Sequence, residues 1–400
     1  VRFRDEENKI FMKTSRLLLI TFFLFFLLCS LGFSVARHRA VWNDEGYTQL
    51  FNVEKLSYQS IILGKVAEGN NSPLFYIIQK AISAMMHYSI PITYSQWGAG
   101  KKEITENALK SQIILRINPV LFMSLAITAI FYYFSKRYSI WSGFYSVLVA
   151  LSSFMVWAYW AEARPYALLA FLTTIQLLVF LDLANGVDRH RKNWHILTII
   201  HFLLALTSAM AIIQITVISF ILWLKLERNW RKYITLFLLP SLICLGYYLR
   251  SPKYSFCFID GPMSLINASI SKDRFLIILF FIFYFIVSRL GAGKPLITRT
   301  INLLNKDQAK SVGNYLLATM LMLSGYFLFL FTLKLKAKGP GFPVSNRYFI
   351  SLTPLGIIAA TLFSIYLVKA PKSKLGKITV VIGLVVLLVM RGVRTAAFRF

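Results

Sequence analysis

Charge is scarce in this chain: only 15% of its 400 residues are Asp, Glu, Lys or Arg. A soluble domain of this size carries nearer a quarter. Cysteine is scarcer, with three in all. Cys29 and Cys244 fall inside apolar runs and Cys257 stands alone, so neither a disulfide framework nor a zinc spacing is available. There is no Walker motif, no dinucleotide fingerprint and no haem attachment motif. Coupled ATP hydrolysis and nucleotide-sugar chemistry in a soluble fold are therefore not expected. No His-rich or paired-carboxylate spacing marks a bound metal, so a cofactor is left unassigned, a divalent ion being open but not indicated. Internal repeats, low-complexity tracts and a separate soluble domain are also missing.

What is present is apolar. Hydrophobic residues make up 57% of the chain, in runs long enough to cross a bilayer as helices. The expected class is an all-α polytopic membrane protein, one domain over residues 1–400. The runs are Leu17–Val35, Ile113–Phe134, Ile140–Trp157, Ala167–Leu183, Trp194–Leu206, Ala211–Leu226, Ile234–Tyr248, Phe275–Val287, Tyr315–Leu333, Tyr348–Val368 and Ile378–Met390, about eleven spans. The stretch from Trp194 to Leu226 is divided at Thr207-Ser208. Arg37-His38-Arg39 follows the first run with no small-residue cleavage site, so that run reads as a retained span rather than a signal peptide.

The net charge of +28 would point to nucleic acid in a soluble protein. Here Lys and Arg collect in short loops between apolar runs, as membrane orientation produces, and nucleic acid is not an expected partner. Pro73 to Ile90 carries Gln79, Lys80 and His87 with apolar residues at helical spacing. It reads as an amphipathic helix in the interface, or else as a short span. Orientation decides between them. With the N-terminus cytoplasmic and this helix not crossing, Lys136-Arg137, Arg189 to Lys192, Lys225 to Lys232, Lys294 to Lys310 and Lys369 to Lys377 all fall inside. If it crossed, every one of them would lie outside. The noncrossing topology puts a long first outer segment at residues 36–111. It also puts the segments 251–272 and 334–346 on the same face.

Three polar clusters then share that face. Asp44 and Glu45 follow the first span in Trp42-Asn43-Asp44-Glu45-Gly46-Tyr47. Charged groups beside hydrocarbon are costly and usually functional. An Asp at an interface can act as general base toward a hydroxyl acceptor; equally, Asn43 or Asp44 could cap a helix starting near Gly46. In Glu162-Ala163-Arg164-Pro165-Tyr166, Pro165 suits a first helical turn, so Arg164 stands at a helix N-terminus as a seat for an anion, or as a snorkelling side chain. Trp157, Tyr159 and Trp160 just before it read as interface-belt aromatics. The third cluster is Asn346-Arg347-Tyr348-Phe349. Arg116, just inside the second span, is read as neutralising an outer carboxylate, and His201 as a satisfied packing residue.

In this order and on this face, the clusters resemble those of the GT-C membrane glycosyltransferases. Similarity is greatest to the dolichyl-phosphate-mannose protein mannosyltransferases and their bacterial aminoarabinose transferase relatives. The matching residues are Asp44-Glu45, Asn71-Ser72-Pro73-Leu74-Phe75-Tyr76, Arg116-Ile117-Asn118-Pro119, Glu162 to Leu168 and Arg347-Tyr348-Phe349. Asn71-Ser72 stands where the family has His-Pro, so a role for that His does not carry over. Nothing resembles the soluble C-terminal domain of some relatives. The resemblance implies transfer of a sugar from a polyprenyl-phosphate-linked donor to a hydroxyl acceptor, with inversion. It implies Asp44 as base, Glu45 beside it, and Glu162, Arg164, Tyr166, Arg347, Tyr348, Asn71 and Arg116 around the substrates. The expected location is a bacterial inner membrane, with the site outside. A flippase or transporter for lipid-linked saccharide is the alternative from another class; a GT-C ligase or polymerase of whole oligosaccharides is the nearer one.

Overall fold

The computed structural model describes residues 2–91, 112–184, 191–225, 230–251, 257–258, 342–343, 346–369 and 374–397, with scattered positions between 315 and 328. The expected span Phe275–Val287 and most of Tyr315–Leu333 lie outside the described residues, as do residues 92–111 of the first outer segment.

The chain is helical. Its elements are α1 (Arg2–His38), α2 (Asn43–Tyr47), α3 (Tyr58–Ile62), α4 (Leu74–Met85), α5 (Ile117–Arg137), α6 (Ile140–Leu151), α7 (Phe154–Trp160) and α8 (Tyr166–Ala184). There follow α9 (Arg191–Thr207), α10 (Ala211–Lys225), α11 (Trp230–Arg250), α12 (Leu352–Lys369) and α13 (Lys374–Ala397). One strand pairing is present among the described residues. It is parallel and joins Cys257–Phe258 to Phe342–Pro343.

Among the described residues, five helices are long and apolar enough to cross a membrane: Thr14–His38 within α1, Ile114–Arg137, Tyr166–Ala184, Trp230–Arg250 and Leu375–Val393. The expected span Ile140–Trp157 is not one straight helix. It breaks between α6 and α7 with a bend of 74°. The cause is a Ser-Ser pair. Ser152 ends α6, and the Ser153 hydroxyl accepts from the Val156 N–H to start α7, a competition with the helix ladder that serine readily wins. The long apolar stretch after residue 194 divides where expected, with α9 ending at Thr207 and α10 beginning at Ala211. α4 has 12 residues, too few to span, and buries Phe75, Tyr76, Gln79 and Ser83.

α5 is the hub, packed against α1, α6 and α8, with α8 packed on α9. Close approach of α1 to α7 depends on Gly32, where a Cβ would stand 2.6 Å from Trp160 Nε1. Small residues play this part wherever membrane helices touch. Trp157, Tyr159 and Trp160 are buried at 5%, 8% and 0% exposure, which corrects their reading as belt aromatics. The bend turns α7 inward, and Trp160 donates to Ser124 Oγ at 3.1 Å inside the bundle. His201 is satisfied as expected: one ring nitrogen lies 2.9 Å from Gln176 Nε2 and the other 2.7 Å from the Leu236 carbonyl.

Helix ends sort by face. The end of α1 and the starts of α5 and α8 meet around Arg39, Arg116 and Glu162. The end of α9 joins them through Asn70 Nδ2 to the Thr207 carbonyl, and the end of α11 through Arg250 to the Leu63 carbonyl. At the other end of the bundle, Arg137 and Asp182 close α5 on α8 with a 2.7 Å ion pair.

Candidate functional site

Among the described residues, four ion pairs occupy the shared end. They are Arg116–Glu45, Arg39–Glu162, Arg164–Glu68 and Arg347–Asp44. They draw on all three sequence clusters, so segments up to 303 residues apart in the chain meet within hydrogen-bonding distance.

Glu45 and Arg116 form the buried base of the site, both without exposed surface. Glu45 Oε1 accepts from Arg116 Nε at 3.1 Å and from the Ala163 N–H at 2.7 Å. Oε2 accepts from Arg116 at 2.8 Å and from the Trp42 N–H at 2.9 Å, the backward reach of a capping box. Arg116 spends its remaining N–H groups on the carbonyls of Ala36, Arg39 and Ala40. All five of its donors and all four of the Glu45 lone-pair sites are used. Two expectations are therefore corrected. Glu45 has no capacity left for catalysis, and Arg116 has none for substrate; together they lock α1, α2, α5 and the α7–α8 corner. The alternative of neutralising an outer carboxylate is the one Arg116 follows.

Asp44 lies inside α2, whose N-cap is Trp42, so it does not cap the helix. Its side chain points outward at 35% exposure and pairs with Arg347, itself 20% exposed, at 2.5 Å. These are the most open charged side chains of the four pairs. Arg347 is delivered by a short 3-10 turn, Asn346–Phe349, just before α12. Tyr348 belongs to this turn; its side chain lies outside the described residues.

Through one terminal nitrogen, Arg164 forms an ion pair with Glu68 at 2.8 Å and donates to Thr48 Oγ1 at 2.8 Å and to the Asp44 carbonyl at 3.4 Å. Its guanidinium also lies 5.8 Å over the Tyr166 ring, a cation–π contact that makes Tyr166 an orienting group for it. Asn71 is fully buried, and its amide N–H holds the Gly64 carbonyl at 3.2 Å. Gly64 turns there with φ of +70°, and a Cβ would meet Tyr247 of α11 at 3.2 Å. Asn71 thus shapes the turn at Gly64 from a buried position.

Glu162 pairs with Arg39 at 3.3 Å, but its Oε1 has no hydrogen-bond partner. Burial, with the Glu45 carboxylate nearby, pushes its pKa up to about 7, against the opposing pull of Arg39, Arg164 and Arg347. The folded value exceeds the unfolded one near 4.5, so between them the folded chain keeps a proton that the unfolded chain releases. This term favours the fold below about pH 4.5, fades as pH rises through 7, and is worth at most about 3 kcal/mol. The wild-type advantage in melting temperature over Glu162→Gln should therefore shrink between pH 5 and pH 8 in detergent. A difference that is constant or grows with pH would remove the protonated Glu162 from the account.

Sequence reasoning missed Arg39, Thr48, Asn52 and Glu68, and took Tyr76 only as part of a matching stretch. Thr48 and Asn52 lie on a π-helical continuation of α2, Thr48–Glu54, whose wider turn puts both on Glu68. Glu68 had one available signal: it is an acidic residue just before the Asn70-Asn71-Ser72-Pro73 stretch. Among the described residues, no group of three or more His, Cys, Asp or Glu is placed to hold a metal ion. No protein-family profile, curated protein or solved structure matches the chain.

Proposed function

We propose that the chain is an integral membrane glycosyltransferase acting on a polyprenyl-phosphate-linked sugar donor and a hydroxyl acceptor. The observation that carries this reading is the meeting, at the ends of membrane-length helices, of two arginines from distant segments at Asp44: Arg347 pairs with its partly exposed carboxylate, and Arg164, paired with Glu68, reaches its main-chain carbonyl. A lipid-linked donor needs a site level with the headgroups. A departing phosphate needs cations, and a hydroxyl nucleophile needs a base.

In the reaction, the bond from the anomeric carbon to the phosphate oxygen breaks and its electron pair leaves with polyprenyl phosphate. The acceptor oxygen bonds to the opposite face of that carbon, and its proton passes to Asp44, so configuration inverts. The transition state is oxocarbenium-like. Arg347 is the natural first contact for the donor phosphate, because it is partly open and its ion pair with Asp44 is the most exposed of the four. A phosphate that takes Arg347 releases Asp44 to the acceptor. Lys136 and Arg137, at the opposite end of the bundle beside Asp182, support a cytoplasmic N-terminus and a site on the periplasmic or lumenal face; the membrane we take to be a bacterial inner one.

The test is release of sugar from a polyprenyl-phosphate donor by purified protein in detergent, where no membrane separates two compartments. Arg164→Ala and Arg347→Ala should raise the donor KM and slow transfer, each by about 10-fold or more, the worth of a charge-assisted contact. Arg→Lys should restore part of the loss. If no donor and acceptor are covalently joined while the protein moves lipid-linked saccharide across liposomes, the chain is a transporter.

A further inference from the structure

Glu68 is buried, with 8% of its side chain exposed, and every contact it makes points toward Arg164 or braces that contact. Its Oε2 takes the ion pair to Arg164 at 2.8 Å. Its Oε1 accepts from Thr48 Oγ1 at 2.5 Å and from Asn52 Nδ2 at 2.8 Å. The Thr48 hydroxyl in turn accepts from the same Arg164 nitrogen that Glu68 holds. The Tyr76 hydroxyl lies 3.2 Å from Oε2 while donating at 2.7 Å to the Asn70 carbonyl. Arg164 is thus gripped at one terminal nitrogen. Its Nε–H, on another edge of the guanidinium, is buried and has no hydrogen-bond partner. A buried donor without a partner is costly, and a ligand oxygen that fills the position recovers that cost.

We infer that Glu68 is a positioning residue: it pins Arg164 by one nitrogen so that the Nε edge is presented to an oxygen of the donor phosphate. This rests on the reading of the site as a seat for a lipid phosphate. Both Glu68 oxygens are already taken by Arg164, Thr48, Asn52 and Tyr76, so the carboxylate acts through Arg164.

The two explanations for an acid beside an anion site differ in sign. If Glu68 were only a nearby negative charge, neutralising it would tighten phosphate binding. If it positions Arg164, neutralising it weakens binding. Glu68→Gln cannot imitate the carboxylate. Asn52 Oδ1 accepts the Ala67 N–H at 3.1 Å, which fixes the Asn52 amide group toward Glu68 as donor. A Gln amide group at position 68 must therefore face either Asn52 or Arg164, donor against donor.

The experiment measures binding of farnesyl phosphate to the purified full chain in detergent, with farnesol as the apolar control. Wild type should bind farnesyl phosphate more tightly than farnesol. Glu68→Gln should lose about 10-fold or more in farnesyl phosphate affinity, with farnesol affinity unchanged, the loss of one charge-assisted contact. Glu68→Asp, charged but shorter, should fall between. If Glu68→Gln does not fold, Thr48→Val decides: it is isosteric, removes the hydroxyl between Glu68 and Arg164, and should weaken farnesyl phosphate in the same direction. Unchanged or tighter phosphate binding in the variant that folds overturns the role of Glu68 and leaves the site intact. Wild type that does not distinguish farnesyl phosphate from farnesol overturns the phosphate seat itself, and Glu68 with it. Equal loss for farnesyl phosphate and farnesol makes Glu68 a structural residue only.

Discussion

Asp44→Asn is expected to insert and fold like the parent and to transfer sugar about 10²–10⁴-fold more slowly, the range for loss of a general base. The fold should survive because the carboxylate is the most open of the four in the site and contributes only one side of a partly exposed ion pair. Such pairs are worth about 0–1 kcal/mol. The Asn carbonyl can still accept from Arg347, so the arginine keeps its place. What the amide cannot do is take the acceptor's proton. Turnover should fall at all donor concentrations, a kcat effect. Transfer at near the parent rate would move the base elsewhere, with Glu162 next in line.

The adjacent residue should behave in the opposite way. Glu45→Gln and Arg116→Ala are expected to lose folded protein, each by about 3–5 kcal/mol, the cost of leaving a buried ion without its partner. Domains are commonly stable by only about 5–15 kcal/mol, so this removes a large part of the margin. Gln is no milder than Ala here. Both oxygens of Glu45 face an Arg116 N–H and a backbone N–H, so an amide group on either side meets two donors. The double variant Glu45→Ala with Arg116→Ala should cost less than the sum of the single changes, since it removes both charges. The measure is melting temperature and monodisperse yield after detergent extraction. A parent-like melting temperature in Glu45→Gln would mean that water or another group takes over the buried pair.

Two neighbouring carboxylates thus divide the work, and the division shows how far the sequence could be read. Apolar runs predict the helices well because each helix satisfies its own backbone in lipid, a local requirement. The polar clusters at helix ends were visible for the same reason: charge beside hydrocarbon stands out. Which of Asp44 and Glu45 faces outward was not visible, since that depends on Arg116 and the Ala163 N–H, distant in sequence. Arg39 looked like a flank of the first span, and only the inward bend of α7 brings Glu162 to it. The bend itself rests on two serines in a run whose hydropathy shows no interruption. Glu68 lies in an irregular segment, residues 63–73, where no period tells which way a side chain turns.

The pairing of Asp44 with Arg347 has a consequence for the order of synthesis. At about 5–20 residues per second, Arg347 leaves the ribosome roughly 15–60 s after Asp44. Arg39, Glu45, Glu68, Arg116, Glu162 and Arg164 are all made within the first half of the chain, so three of the four pairs can close while the rest is still being inserted. The nascent chain therefore holds a neutralised scaffold early, and of the four carboxylates in the site Asp44 waits for its arginine until the last helices arrive. The group with the longest wait is the one proposed as base, and the arginine that ends the wait comes with the final part of the site.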